Sequence, residues 1–273
     1  MTTPAKQVVA SGAFDDIRSR DLRFLQEASR LGELCVLLWS DDLVEQVTGH
    51  PPKFPLAERY YFLNAVRYVS CVLILENPAN PDALPENFPA DIWADYEPSA
   101  NSAREAFCRG KKMRYRILSG AELKEFSMPA PALSPPGRKK VIVTGSFDWF
   151  HSGHVRFLEE ASALGDLIVV VGHDANIRLL KGAGHPLLPE QERCYAVASI
   201  KYVHQALIST GHGWLDAEPE IQRLKPDIYA VNEDGNKGGK REYCQKLGLE
   251  YRVLKRIPAP GLPPRSSTIL RGF

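Results

Sequence analysis

Residues 144–154 read Thr-Gly-Ser-Phe-Asp-Trp-Phe-His-Ser-Gly-His, and these types at this spacing suit the handling of a phosphate. The segment follows a β-branched run, Val141-Ile-Val-Thr144, and opens a helical pattern. A glycine-containing turn at that place lets backbone N–H groups approach an anion closely. The helix N-terminus adds a dipole of the right sign. His151 and His154 lie three apart, so at the start of one helix they share a face and address one ligand. Two imidazoles so placed can donate to a phosphate whose negative charge grows in a transition state. Zinc fits less well, because no third His or Cys stands near enough to complete its ligand set.

The elements that must position these residues alternate strand and helix. Val141–Thr144 is a strand and His154–Leu164 a helix, with Val155, Leu158 and Ala161 at helical spacing and Gly165 as its stop. Leu167–Val171 is apolar throughout, as in a strand covered on both faces. Helices follow over 190–201, 214–224 and 237–247, and strands over 205–209, 227–231 and 251–254. This order predicts an α/β fold with a doubly wound parallel sheet, whose ligands bind beyond the carboxyl ends of the strands.

The chain carries this pattern twice. GAFDDIRSRDLRFLQEASRLGEL from Gly12 parallels GSFDWFHSGHVRFLEEASALGDL from Gly145, and ERYYFLNAVRYV from Glu58 parallels ERCYAVASIKYV from Glu192. DIWADYE from Asp91 parallels DIYAVNE from Asp227, in the same order and nearly the same spacing. Between the copies, SMPAPALSPPG from Ser127 is a Pro- and Ala-rich stretch with no hydrophobic period. The expectation is two tandem Rossmann-like domains, residues 1–126 and 139–273, joined by a linker over 127–138.

The histidine segment resembles the HxGH signature of the nucleotidylyltransferase superfamily. More narrowly, it is similar to the TxGxFDxxHxGH turn of the cytidylyltransferases for glycerol 3-phosphate, phosphoethanolamine and phosphocholine. The resemblance spans Lys140 to Arg271. A second motif, ISSTxxR, is matched by Arg265-Ser-Ser-Thr-Ile-Leu-Arg271, with Arg where the motif has Ile. The resemblance implies transfer of CMP from CTP to a small phosphorylated acceptor (a phospho-alcohol, polyol or sugar acid) with release of pyrophosphate. Transfer of AMP from ATP is the alternative, and a non-catalytic nucleotide-binding scaffold is the alternative of another class.

Roles follow from the same resemblance. His151, His154 and Lys181 would be the catalytic groups. Gly145, Ser146, Phe147, Asp148, Gly153 and Arg193 would bind the nucleotide. Ser266, Ser267 and Thr268 would start a helix that holds the β- and γ-phosphates, with Arg271 adding charge. No protein nucleophile is needed when an acceptor oxygen attacks the α-phosphorus in line, so positioning and charge stabilisation would supply the catalysis. Mg²⁺ would arrive with the triphosphate rather than in a protein metal site. Three of these residues also have a structural reading: Lys181 as a loop lysine, Arg193 as a surface helix residue and Asp148 as a turn cap.

The pattern departs from the family in places. Where relatives show Arg-Thr-x-Gly-Ile, this chain has the longer, proline-rich Lys255–Arg265, in which Arg256 is the candidate arginine. Val231-Asn-Glu-Asp-Gly235 stands where Gly-Asp-Asp is common, and Lys201 stands where relatives have Arg. Lys237, Lys240 and Arg241 concentrate charge beside two glycines and are candidates for acceptor binding. The first copy has Arg18-Ser-Arg-Asp21 in place of His-Ser-Gly-His and no Ser-Ser-Thr motif, so it is expected to be inactive. It would make a pseudo-dimer within one chain, which could also assemble as a homo-oligomer. Phosphoethanolamine cytidylyltransferases pair an active with a degenerate copy in the opposite order.

Composition agrees with a soluble, cytoplasmic enzyme of small molecules. The 273 residues are 44% hydrophobic and 25% charged, with 34 Lys+Arg against 33 Asp+Glu. Such a balance points to neither a nucleic-acid nor a membrane partner. No apolar run approaches the roughly 18 residues of a membrane span. The 5 cysteines form no CxxC pair and are expected as reduced, buried thiols.

Overall fold

A computed structural model describes residues 5–76, 80–131 and 133–270, except the side chains of Thr268 and Ile269. The chain divides into two compact units, Met1–Phe126 and Ser127–Phe273. The first unit runs β1 (Gln7–Gly12), α1 (Ser19–Ser29), β2 (Glu33–Trp39), α2 (Asp41–Thr48), α3 (Leu56–Ala65), β3 (Cys71–Leu75), β4 (Ile92–Tyr96), α4 (Ser102–Gly110) and β5 (Arg114–Leu118). The second runs β6 (Lys140–Gly145), α5 (Ser152–Ser162), β7 (Asp166–Val171), α6 (Asp174–Lys181), α7 (Glu190–Ala198) and β8 (Gln205–Ile208). It continues through α8 (Glu218–Leu224), β9 (Ile228–Asn232), α9 (Lys240–Leu247), β10 (Glu250–Leu254) and α10 (Ser267–Leu270).

Each unit holds a parallel sheet, ordered β3-β2-β1-β4-β5 in the first and β8-β7-β6-β9-β10 in the second. Both are the doubly wound order 3-2-1-4-5 counted from the unit's own first strand. In the second unit β7 and β9 flank β6 on either side, so the direction of winding reverses there and leaves a crevice at the carboxyl end of β6. The two central strands are buried on both faces, which is why Val141–Val143 and Leu167–Val171 carry no polar alternation. On one face Ile142, Val170, Tyr229 and Val231 pack against Ala217, Ile221 and Cys244 of the covering helices. On helix α5, Val155, Leu158 and Ala161 form the buried stripe. The turn from α5 into β7 leaves no room for a side chain: a Cβ on Gly165 would sit 2.2 Å from the Lys139 carbonyl oxygen. Gly32 meets the Lys6 carbonyl at 2.1 Å in the same way.

Several boundaries differ from the sequence expectation. Helix α5 starts at Ser152, two residues early, and uses His151 as its N-cap. The segment expected as one helix from Trp214 is a 3₁₀ turn over Gly213–Leu215 followed by α8. Helix α9 waits until Lys240 because Gly238 takes φ +68°, outside the helical region. Helix α6 answers to no expected element. The cysteine expectation is corrected too. Cys35 and Cys71 are register partners on neighbouring strands β2 and β3, with Cα atoms 4.6 Å apart, and form a disulfide. Cys108, Cys194 and Cys244 are buried and free. Among the described residues no helix is long and apolar enough to cross a membrane.

Candidate functional site

The site begins where β6 ends. Phe147 adopts φ 48°, a left-handed backbone that reverses the chain above Gly145 and buries the ring. That ring meets His154 edge-on with centroids 5.4 Å apart, while Phe150 stacks on His154 at 5.4 Å and 7°. The His151 and His154 rings lie 4.0 Å apart. His151 caps its own helix: Nδ1 accepts from the Gly153 N–H at 3.1 Å. An accepting Nδ1 places the ring proton on Nε2. His151 Nε2 is buried and meets no hydrogen-bonding partner among the described residues, and the same is true of His154 Nδ1. The pair therefore holds unused polar capacity in the crevice. Glycine at 153 leaves the imidazole its room, since a Cβ there would stand 3.0 Å from the His151 ring.

Both imidazoles are neutral. Burial pushes His151 down to about 3 from the ordinary 6.5, with Arg256 and Arg265 adding repulsion. His154 is driven well below its ordinary value by burial, then by His151, Arg256 and Lys181. A charge missing in the folded state but present in the unfolded one costs stability in acid. As pH falls below 6.5 the unfolded chain takes up protons first, so stability is complete above that pH and declines toward 3. Urea midpoints measured between pH 7.5 and 5 should fall, and His151→Asn, which keeps a capping side chain, should flatten the slope. Parallel slopes for wild type and variant would remove the histidine from this account.

The second motif folds onto the first. Ser267 opens α10, and its hydroxyl donates to the Trp149 carbonyl at 3.2 Å. Ser266, Arg265 and Arg256 share the walls of a cavity of about 320 Å³ with Ser152, Gly153 and Asn232. Arg256 is fixed there by Asp234 at 2.7 Å and by the Arg265 carbonyl at 2.9 Å. Sequence reasoning missed Arg265 and Asn232 as site residues. Both were visible only as departures, Arg for Ile in one motif and Asn for Gly in another strand end. Asn232 Oδ1 is buried without a partner among the described residues. Arg271 lies outside the described residues, as does the side chain of Thr268.

Two residues expected to bind the nucleotide, Arg193 and Asp148, are engaged with the protein's own backbone. Arg193 is completely buried and donates to the carbonyls of Leu188, Ser146 and Gly172 and to the Asp174 carboxylate. Its guanidinium is spent inside the protein, which leaves Arg193 neither a surface helix residue nor a group turned toward a nucleotide. Asp148 is likewise buried and accepts from the Leu187 and Leu188 N–H groups at 2.7 and 3.0 Å, bracing the loop over the turn. Lys181 does reach the turn, donating to Ser146 Oγ at 2.7 Å from the end of α6. Burial and then Arg193 hold its ammonium pKa below the ordinary value.

The first unit keeps the braces and loses the histidines. Arg59 donates to the Phe54 and Ala13 carbonyls and to Asp41, and Asp15 accepts from the Lys53 and Phe54 N–H groups. Phe14 takes φ 45°, as Phe147 does. At the histidine positions, however, Arg18 pairs with Asp16 and Asp21 accepts from the Arg18 N–H at 2.8 Å.

The acceptor candidates scatter. Lys240 donates to the Gly235 carbonyl at 3.0 Å, and Arg241 lies 5.0 Å from the Tyr251 ring. Lys237 is exposed beside them. Among the described residues no group of three or more His, Cys, Asp or Glu is placed to hold a metal ion.

Residues 142–273 match the model of the cytidylyltransferase-like family. FAD synthase of Archaeoglobus profundus is 40% identical over 119 residues, covering 42% of this chain and 73% of that protein. FAD synthase of Pyrococcus horikoshii is 42% identical over 123 residues, covering 44% and 80%. Among solved structures, the lipopolysaccharide core biosynthesis protein of Thermoplasma volcanium is similar at 27% identity and a TM-score of 0.38, over 45% of this chain and 99% of that one.

Proposed function

Because this chain belongs, through its second half, to the cytidylyltransferase-like family, we propose that it is a nucleotidylyltransferase that transfers AMP from ATP to a phosphorylated acceptor of the flavin mononucleotide class. The carrying observation is the unspent pair of neutral imidazoles in the turn onto which the Ser266–Ser267 helix start folds. ATP takes precedence over the CTP expected from the turn alone, because the similar proteins are named FAD synthase and FAD is the adenylylated form of flavin mononucleotide.

In this reading an acceptor phosphate oxygen attacks the α-phosphorus, a P–O bond forms, and the bond to the β-phosphate breaks as pyrophosphate leaves with the electron pair. His151 Nε2–H and the His154 ring stabilise charge on the α-phosphoryl oxygens. Ser266, Ser267 and Arg265 hold the departing phosphates, and Lys181 stands over Ser146 at the acceptor side. Mg²⁺ enters as part of the substrate triphosphate. Arg193 and Asp148 shape the turn without touching substrate. The first unit is read as doing no chemistry, since Arg18 and Asp21 stand at the histidine positions, where the Arg18 guanidinium is spent on Asp16 and the Asp21 carboxylate on the Arg18 backbone N–H.

Pyrophosphate release tests this directly, with ATP and CTP each crossed against flavin mononucleotide, glycerol 3-phosphate and phosphoethanolamine. ATP with flavin mononucleotide should exceed CTP with any acceptor by at least about tenfold in kcat/KM. Turnover confined to CTP would overturn the adenylyl assignment.

A further inference from the structure

The loop after β8 presents a tryptophan on a turn that its surroundings fasten but do not cover. Trp214 is 53% exposed in the turn Gly213–Leu215, while its neighbour Leu215 packs against the core. The turn is fastened to the start of α6 from both sides. Buried Asn176 donates to the Gly213 carbonyl at 3.0 Å and accepts from the Gly213 N–H at 2.8 Å. His173 Nε2 donates to the Gly211 carbonyl at 2.9 Å. Ser209 Oγ donates to Asp216 at 2.7 Å and accepts from the His173 N–H. Beneath the indole lie two glycines: side chains begun at Gly238 or Gly239 would meet the ring at 3.8 Å. So one part of the ring rests on bare backbone and the rest stands open, at the carboxyl ends of the strands where ligands bind in this fold.

Helix α6 ties this aromatic surface to the reacting end. Its first turn holds the Trp214 loop, and its last residue, Lys181, reaches Ser146 at the histidine turn. Five residues of helix from Asn176 to Lys181 span about 7–8 Å, and the lysine stem extends that reach. An acceptor that places its phosphate beside Lys181 has its far end near Trp214 when a chain of several atoms joins the two. An exposed indole on a fastened turn favours a flat ring there, because stacking gains contact area with only the two χ angles of one side chain to fix.

The geometry points to Trp214 as the residue that selects the acceptor, by stacking on a planar ring carried several atoms from the reacting phosphate. This rests on the adenylyl-transfer reading above and deepens it by naming the acceptor's distal group. No sequence expectation marked Trp214, since the segment read as an ordinary helix start.

The test compares wild type, Trp214→Ala and Trp214→Phe by two readouts. Pyrophosphate release gives KM and kcat for flavin mononucleotide and for glycerol 3-phosphate, each with ATP. Quenching of flavin mononucleotide's own fluorescence gives its affinity without turnover. Trp214→Ala should raise KM and Kd for flavin mononucleotide by about tenfold or more, with kcat and ATP affinity changed less than about threefold. Trp214→Phe should recover most of that loss, and glycerol 3-phosphate should be indifferent to both changes. Unchanged flavin affinity in Trp214→Ala would overturn the inference even if adenylyl transfer is confirmed. Conversely, absent turnover with tryptophan-dependent flavin binding would sink the reaction and leave the stacking site standing.

Discussion

His154→Ala is expected to lower kcat by about 10²–10³-fold while ATP affinity stays within a few-fold. The ring stands 4.0 Å from His151 and is fixed by Phe147 and Phe150, so its orientation is set before substrate arrives. A donor already in place costs no reorganisation when charge develops on the α-phosphate, and in a water-poor crevice it counts for more than in solvent. Because the interaction strengthens in the transition state, its removal should fall on kcat rather than on ground-state binding. His154→Gln keeps a donor and should retain part of the rate. Single-turnover measurement of pyrophosphate release separates the chemical step from product release. Loss of ATP affinity with unchanged single-turnover rate at saturation would assign His154 to ground-state binding instead. The truncation also removes two ring contacts, so a thermal melt must accompany the kinetics.

Arg193→Ala should destabilise the protein by about 3–5 kcal/mol, the usual range for breaking a buried charged network. The deletion strands three carbonyls and the Asp174 carboxylate, all now turned toward a cavity. It also loosens the β6–α5 turn from α6 and from the loop before α7, leaving the Lys181–Ser146 bond and the Asp148 bonds to Leu187 and Leu188 to hold them. Arg193→Lys should recover little, since one ammonium cannot serve four acceptors at those angles. Urea denaturation provides the measurement. A phosphate-binding arginine behaves the other way, with lost activity and an undisturbed midpoint, and that pattern would refute the structural role. Arg59→Ala should produce a comparable loss in the first unit, where the histidine pair is absent.

The residues of this candidate site were more legible than its supports. The turn, the two histidines and the distant Ser-Ser pair announce themselves through residue types that few structural roles demand together. Alternating apolar runs and helical periods likewise disclosed the parallel sheet. Helix α6 escaped because it has only eight residues and buries just Asn176 and Ile177, with Leu179 and Leu180 exposed, too short a stripe to read as a period. Arg193 opens a helix, where arginine ordinarily faces water, and nothing local reveals that four acceptors converge on it. The Cys35–Cys71 pairing depends on strand register, which is a property of the sheet and not of either segment. Asn232 became a wall of the cavity only through the proline-rich segment folding back across it.

The way each unit begins its first helix carries a consequence for how a duplicated domain can change. In the second unit the same imidazole that addresses the crevice also secures the opening of α5, so discarding the function there would fray the scaffold. In the first, the carboxylate of Asp21 has taken over that fastening. Once an ordinary side chain secures the opening, selection for folding no longer protects the reactive group, and the two copies are free to diverge in purpose while remaining alike in shape.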